Sequence, residues 1–256
     1  MSPAGPVQVL YRAYESRLRR ALKPSTLPRH VAVLADGNRR WARANAPDEP
    51  LVAGYKAGAD KLREFCDWCD ELGIPLVTLW VLSTDNLDRS VDEELGPLFD
   101  VIADLVDDLS ARHPVRMVGA LDLLPPGTAD RLRAAEASSR KTGLHVNVAV
   151  AYGGRQELRD AVRALLADEA TAGTTLAKLA TTLEVDQIES HLYTSGQPDP
   201  DLIIRTSGEQ RLSGFLMWQS AHSEFYFCEA LWPDFRRVDF YRALRAYAQR
   251  ERRYGL

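Results

Sequence analysis

The sequence predicts an α/β fold: a single domain with a central, mostly parallel sheet of about six strands flanked by helices. Short β-prone apolar runs alternate with longer segments of helical periodicity, and parallel strands need the long crossovers that such helices provide. No internal repeat or low-complexity linker divides the 256 residues, and α/β folds of this length commonly form one domain. With 45% hydrophobic and 27% charged residues the composition is that of a globular protein. No apolar run reaches the roughly 18 residues needed to span a bilayer.

The elements follow in order. Val7 to Leu22 reads as an arginine-rich helix with Leu10, Ala13, Tyr14 and Leu18 near helical spacing. It belongs to an N-terminal extension over residues 1–28 that caps the domain, and its basic face also suits weak association with an anionic membrane surface. Val31 to Ala35 is a buried strand, ending in a loop over Asp36 to Trp41. Gly54 to Leu72 is helical. Pro75 to Leu82 is a second β-prone run, followed by the polar loop Ser83 to Asn86. From Val91 to Leu109 the residues Leu95, Leu98, Phe99, Ile102, Leu105, Val106 and Leu109 form a wide apolar helical stripe. Pro114 to Gly119 and Leu144 to Ala151 read as strands around a helix over Ala129 to Lys141. Helices near Arg155 to Asp168 and Leu176 to His191 precede strands at Asp201 to Arg205 and Glu224 to Cys228. A helix over Val238 to Arg250 closes the chain.

Composition excludes several functions. A net charge of −4 gives no support to bulk nucleic-acid binding, so any anionic ligand must be held by local arginines. Three cysteines do not make a disulfide framework, and Cys66 and Cys69 read as thiols on a helix. The amino terminus lacks a basic segment leading into an apolar core, so the expected location is the cytoplasm. Neither a G-x-G-x-x-G nor a P-loop pattern occurs, and the five histidines show no ligand spacing.

In open parallel sheets, ligands bind beyond the carboxyl ends of the strands. Three strand-following segments combine polar or flexible residues with arginine: Asp36 to Trp41, Ser83 to Arg89 and Arg205 to Ser213. In the first, Gly37 lets backbone N–H groups approach an anion, and Arg39 and Arg40 add charge. Asp36 could serve Mg²⁺, a hard ion that needs only one or two carboxylates when substrate phosphate and water complete its shell. Asp-Gly-Asn is equally the chemistry of a plain turn. In the third segment, Arg205, Arg211, Ser213 and a glycine suit a second anion, although the same residues would also make a solvated loop. Glu224, at the start of an aromatic strand, is either a strand-end charge or a second metal ligand.

Taken in order, the segments DGNRRWA, STDNLDR, YGGR, PDPDLIIRTSGEQRLSGFLMWQ and EFYFCEALWPDF resemble the signature segments of the cis-prenyltransferase family, typified by undecaprenyl diphosphate synthase. The similarity runs from about His30 to Gly255. It implies condensation of isopentenyl diphosphate with an allylic diphosphate to form a new cis double bond. By the same resemblance Asp36 binds Mg²⁺, with Glu224 assisting, Gly37, Asn38, Arg39 and Arg40 hold the allylic diphosphate, and Trp41 belongs to the substrate-binding residues. Arg205, Arg211 and Ser213 hold the diphosphate of isopentenyl diphosphate. Ser83, Thr84, Asp85, Asn86, Leu87 and Arg89 fall in the catalytic loop, with Asn86 placed to help proton removal and Glu93 nearby. Ser90 to Glu93 also reads as a helix capping box. Arg253-Tyr254-Gly255 resembles an R-x-G ending that reaches a partner subunit's active site, which implies a homodimer, with the aromatic strand suited to the interface.

Some positions depart from the family pattern. Tyr55 stands where many relatives have histidine, Leu87 where tryptophan is common and Gln210 where some have histidine. Val81 falls where long-chain relatives carry a small residue, and a bulkier side chain shortens an apolar tunnel because packed interiors do not yield to extra methylenes. Val81 and Leu82, with Leu87, therefore point to the short-chain branch that makes (2Z,6E)-farnesyl diphosphate from geranyl diphosphate. The alternatives are a medium- or long-chain polyprenyl diphosphate synthase and a non-catalytic partner subunit. The trans-type D-D-x-x-D pair is absent: Asp104, Asp107 and Asp108 read as the solvated face of a helix.

Overall fold

Every strand pairing in the sheet is parallel, in the order β3-β4-β2-β1-β5-β6. The strands are β1 (His30–Leu34), β2 (Leu76–Trp80), β3 (Val115–Val118), β4 (His145–Ala149), β5 (Leu202–Arg205) and β6 (Glu224–Phe227). The computed structural model describes residues 6–90 and 94–250. The principal helices are α1 (Pro6–Ala21), α2 (Asn38–Asn45), α3 (Val52–Glu71), α4 (Gly96–Arg112), α5 (Pro126–Ser138), α6 (Gly154–Thr171), α7 (Leu176–Thr182), α8 (Val185–Glu189) and α9 (Arg237–Gln249).

β1 shows why the sheet is buried on both faces. Val31 and Val33 pack into a large cluster with α3, α4, α5 and α9, whereas Ala32 and Leu34 pack with Ile203, Tyr152, Phe215 and Leu216 on the other face. That is the period of two expected of a strand covered by helices on either side. Phe65 sits at the heart of the larger cluster, its ring 4.8 Å from Phe240 and 5.8 Å from Trp232. Tilted aromatic pairs of this kind add to the gain from area burial alone.

β1 is also where the chain changes direction across the sheet. From β1 it moves to β2 on one side, and β5 later docks on the other. The carboxyl end of β1 is thus the switch point at which open α/β sheets form a ligand crevice.

Several expectations need correction. The loop expected over Asp36 to Trp41 is only a turn at Gly37, whose φ is 112°, and α2 begins at Asn38. A Cβ on Gly37 would lie 2.9 Å from Leu231 Cδ2, so glycine is required by both angle and space. Residues expected in one helix from Leu176 to His191 form α7 and α8, because Thr175 caps the first and a Glu184–Gln187 capping box starts the second. The helix expected from Val91 becomes α4 from Gly96, with Pro97 in its first turn, where proline's missing N–H costs nothing. Glu93 lies outside the described residues.

α1 packs on α9: Leu18 is buried, the Arg242 guanidinium lies 5.3 Å from the Tyr14 ring, and Arg236 lies over Tyr11 at 5.8 Å. Arg12, Arg17, Arg19 and Arg20 remain exposed. Among the described residues no helix is long and apolar enough to cross a membrane. Asp104, Asp107 and Asp108 do face solvent, paired with Arg131 and Arg63.

Candidate active site

Three strand ends deliver three chain segments to one place. β1 ends at Leu34, which is in register with Arg205 of β5 and Trp80 of β2. Asp36, Val81 and the residues after Arg205 therefore leave the sheet side by side. The turn at Gly37 then starts α2 at once, so the first turn of the helix faces the same space with Asn38, Arg39 and Arg40. Free N–H groups and the positive end of the helix dipole favour an anion there.

The space is a cleft of about 530 Å³ that joins a smaller one of about 300 Å³. Asp36, Arg39, Trp80, Val81, Asn86 and Arg89 line both, so the two are halves of one site meeting at Asp36. The larger half adds Gly37, Asn38, Arg40, Arg43, Glu209 and Arg211, and an apolar wall of Ala59, Leu62, Leu98, Val101, Ile102 and Leu105. The smaller half adds Leu82, Ser83, Asp85, Arg205 and Ser213. Six arginines and three carboxylates line the whole cleft, which makes it cationic in a chain whose net charge is −4. Such focusing attracts anionic ligands.

Asp36 is half-exposed and holds two guanidiniums, Arg205 Nη2 at 3.3 Å and Arg40 Nη2 at 3.6 Å. Arg205 is almost wholly buried. Its Nη1 donates to Ser213 Oγ at 2.8 Å and to the Arg211 carbonyl, while its Nε is buried without a partner. Burial lowers the proton affinity of this guanidinium and the Asp36 charge opposes that shift. A buried cation with an unused donor is suited to a second anion.

Among the described residues no group of three or more His, Cys, Asp or Glu side chains is gathered to hold a metal ion. Asp36 alone, half-exposed in a cleft that can take phosphate oxygens, fits the sparse protein ligation of Mg²⁺. It does not fit an ion caged by protein. Nor does the structure bring Glu224 to Asp36 within the chain. Glu224 begins β6, in register with Leu202, at the end of the sheet opposite the cleft, and its carboxylate is paired with Arg250. A four-residue strand spans roughly 10 Å, too far for both carboxylates to share one ion.

Three other expected residues stand aside. Trp41 turns away and donates from Nε1 to Asp234 Oδ1 at 2.9 Å, Leu87 packs against the large core, and Thr84 packs on Gly153. Arg211 lines the half of the cleft opposite Arg205 and Ser213, and is paired with Glu209. Arg253 and the rest of the R-x-G ending lie outside the described residues. In the other direction, Arg43 enters the site one helical turn after Arg39, a signal readable only once α2 is known to be a helix. Glu94 also belongs to the site's support. Its Oε1 accepts from the Tyr55 hydroxyl and from Arg89 Nη1 at 2.9 Å, and lies 3.7 Å from Arg39 Nη1.

Known proteins share this chain's pattern. The family described as putative undecaprenyl diphosphate synthase matches residues 34–255. A (2Z,6E)-farnesyl diphosphate synthase of Thermobifida fusca is 60% identical over 248 residues, covering 96% of this chain and 97% of that protein. A protein of the same description from Mycobacterium tuberculosis is 55% identical over 252 residues, covering 96% and 95%. Among solved structures, lavandulyl diphosphate synthase from Lavandula x intermedia, in complex with dimethylallyl diphosphate, superposes with a TM-score of 0.80 at 33% identity, over 91% of this chain and 100% of that one. With the fold, the three converging segments and nearly the whole length in agreement, the chain belongs to the undecaprenyl diphosphate synthase family, the cis-prenyltransferases.

Proposed function

We propose that this enzyme condenses isopentenyl diphosphate with geranyl diphosphate to give (2Z,6E)-farnesyl diphosphate and free diphosphate. One observation carries the reading: a single cleft with two cationic ends meets at one carboxylate, and one end opens onto an apolar wall. The names of the Thermobifida and Mycobacterium relatives support the product. At about 530 Å³ the larger half lies within the range of sites for single small ligands.

In this reading the first turn of α2, with Arg39, Arg40 and Arg43, binds the allylic diphosphate, and its chain lies along Val81, Leu98, Val101, Ile102 and Leu105. Arg205 and Ser213 bind the diphosphate of isopentenyl diphosphate in the smaller half. That fixes its terminal alkene carbon beside the allylic carbon and removes most of the entropic cost of the encounter. The allylic C–O bond breaks with its electron pair leaving on diphosphate, the alkene carbon bonds to the allylic centre, and the carbon beside the resulting cation gives up a proton to the released diphosphate, its C–H electron pair forming the new double bond. Charge gathers on the leaving diphosphate, where the guanidiniums are already in place. Asp36, with diphosphate oxygens and water, would hold Mg²⁺, which when bound adds positive charge at that leaving group. Asp36 needs this exposure, because a fully paired carboxylate could not take an ion. We further propose a homodimer formed along β6.

Release of diphosphate is the direct assay. It should require both substrates and Mg²⁺, and Asp36→Ala should lower it by at least about 10³-fold with an unchanged circular dichroism spectrum. A variant that kept a tenth of wild-type turnover would remove Asp36 from the metal site.

A further inference from the structure

Behind the cleft wall lies a polar cluster that the two-anion reading does not use. Glu94 lines neither half of the cleft, and its side chain is only 14% exposed. Its Oε1 nevertheless gathers the Tyr55 hydroxyl, Arg89 Nη1 at 2.9 Å and, more loosely, Arg39 Nη1 at 3.7 Å. All three of those residues line the cleft. Burial, reinforced by the bond to Glu94, raises the Tyr55 hydroxyl well above the usual tyrosine range, so it stays a donor. Arg89 in turn uses its other terminal nitrogen, Nη2, to donate to Asn86 Oδ1. A guanidinium has donors only, so the Asn86 atom facing it must be the oxygen, and the NH₂ edge points elsewhere. Asn86 lines both halves of the cleft beside Asp36.

We propose that Glu94 is a positioning residue: anchored by Tyr55, its carboxylate fixes Arg89, and through Arg89 it holds the Asn86 amide as a hydrogen-bond donor toward the substrate anions. The proposal rests on the two-diphosphate reading of the cleft. It gives Asn86 a definite chemical role. With its oxygen turned to the Arg89 guanidinium, the amide presents its NH₂ edge, which can donate to a diphosphate oxygen as charge develops there. The backbone supports this placement, since the Ser90 carbonyl accepts from both Glu94 N–H at 3.1 Å and Leu95 N–H at 3.0 Å.

The test is a double-mutant cycle on the full chain with geranyl diphosphate, isopentenyl diphosphate and Mg²⁺. Glu94→Gln keeps shape and loses charge; it should lower kcat about tenfold or more while KM for either substrate moves less than about threefold. Asn86→Ala should lower kcat on its own, and adding Glu94→Gln to it should change kcat by less than about twofold, because the amide through which Glu94 acts is gone. Tyr55→Phe should give a smaller loss that also vanishes in the Asn86→Ala background, and it serves as the probe if Glu94→Gln folds poorly. Multiplicative losses in the double variants, or a KM effect alone, would overturn the proposal and leave prenyl transfer standing. No turnover by the unmodified protein would instead overturn the prenyl-transfer reading, and this proposal with it.

Discussion

Asp36 acquires its place from its neighbours. Leu34 ends β1, Gly37 turns the chain, and Arg205 of the adjacent strand meets the carboxylate at 3.3 Å. Sequence chemistry identified the residue types here, since an aspartate, a glycine and two arginines after a strand suit a diphosphate and a hard cation. It could not separate Asp-Gly-Asn as a site from Asp-Gly-Asn as a turn; the structure shows a turn at Gly37 whose residues line the cleft. Val81 was singled out by the resemblance, as a position where long-chain relatives carry a small residue, and the structure places it on the wall of both halves of the cleft. Cutting it back to alanine opens the wall at the junction of the two halves. Val81→Ala should therefore shift products toward chains at least one isoprene unit longer, read by chromatography of the dephosphorylated prenols. An unchanged product length would show that another wall residue sets the limit. Trp41, Thr84 and Leu87 misled because a motif places residues in sequence, whereas helix and turn geometry decides which side chains face the cleft.

At the scale of elements, β1 carries a constraint that has nothing to do with substrate. His30 opens the strand almost wholly buried, with Nδ1 2.8 Å from the Pro198 carbonyl and Nε2 2.8 Å from Thr78 Oγ1. The carbonyl can only accept, so Nδ1 carries the proton and Nε2 accepts from the threonine. Thr78 Oγ1 accepts in turn from Asn147 at 3.0 Å, which ties β1, β2 and β4 together. Burial lowers the imidazole from 6.5 to about 4, against the opposing pull of the Pro198 carbonyl and Asp201. Above pH 6.5 the ring is neutral in both folded and unfolded chains and its contribution is complete. As pH falls, the unfolded chain takes up a proton that the folded chain refuses until about pH 4, so stability drops through that window. Between pH 7 and 4.5 this group alone should cost about 2–3 kcal/mol. Urea unfolding of the wild type and His30→Gln at both pH values isolates it, since other titrating groups cancel in the difference. The wild type should lose more stability by that amount; equal losses would contradict a neutral buried His30. The strands and long helices were legible because their apolar periods are strong. α2 was not, because Ala42 is its only buried residue and its arginines show no apolar stripe. It is held by close packing on α3, where Gly58 leaves room for the Asn38 side chain.

At the scale of the whole molecule, strand direction decides which residues can cooperate. All pairings are parallel, so Arg205 at the end of β5 reaches the cleft while Glu224 at the start of β6 cannot. Carboxylate chemistry suggested a metal ligand, and topology removes it from the ion within one chain. β6 is also an edge strand, at the opposite side of the sheet from β3, and among the described residues nothing pairs with its free edge. Phe225 and Phe227 stack there 6.3 Å apart, and Phe227 is 39% exposed. Exposed edges with apolar side chains are prone to association, and the homodimer reading predicts elution at twice the 28.6 kDa chain mass. A monomer at assay concentration would contradict it. The proposed function makes the cleft a unit: two anion sites joined at Asp36, with a short apolar wall that limits growth. Its most direct test is incubation of the purified full chain with geranyl diphosphate, Mg²⁺ and excess labelled isopentenyl diphosphate, followed by chromatography of the prenols. One condensation, giving chiefly the fifteen-carbon (2Z,6E) product, is the predicted result; a ladder of long polyprenyl products would contradict it.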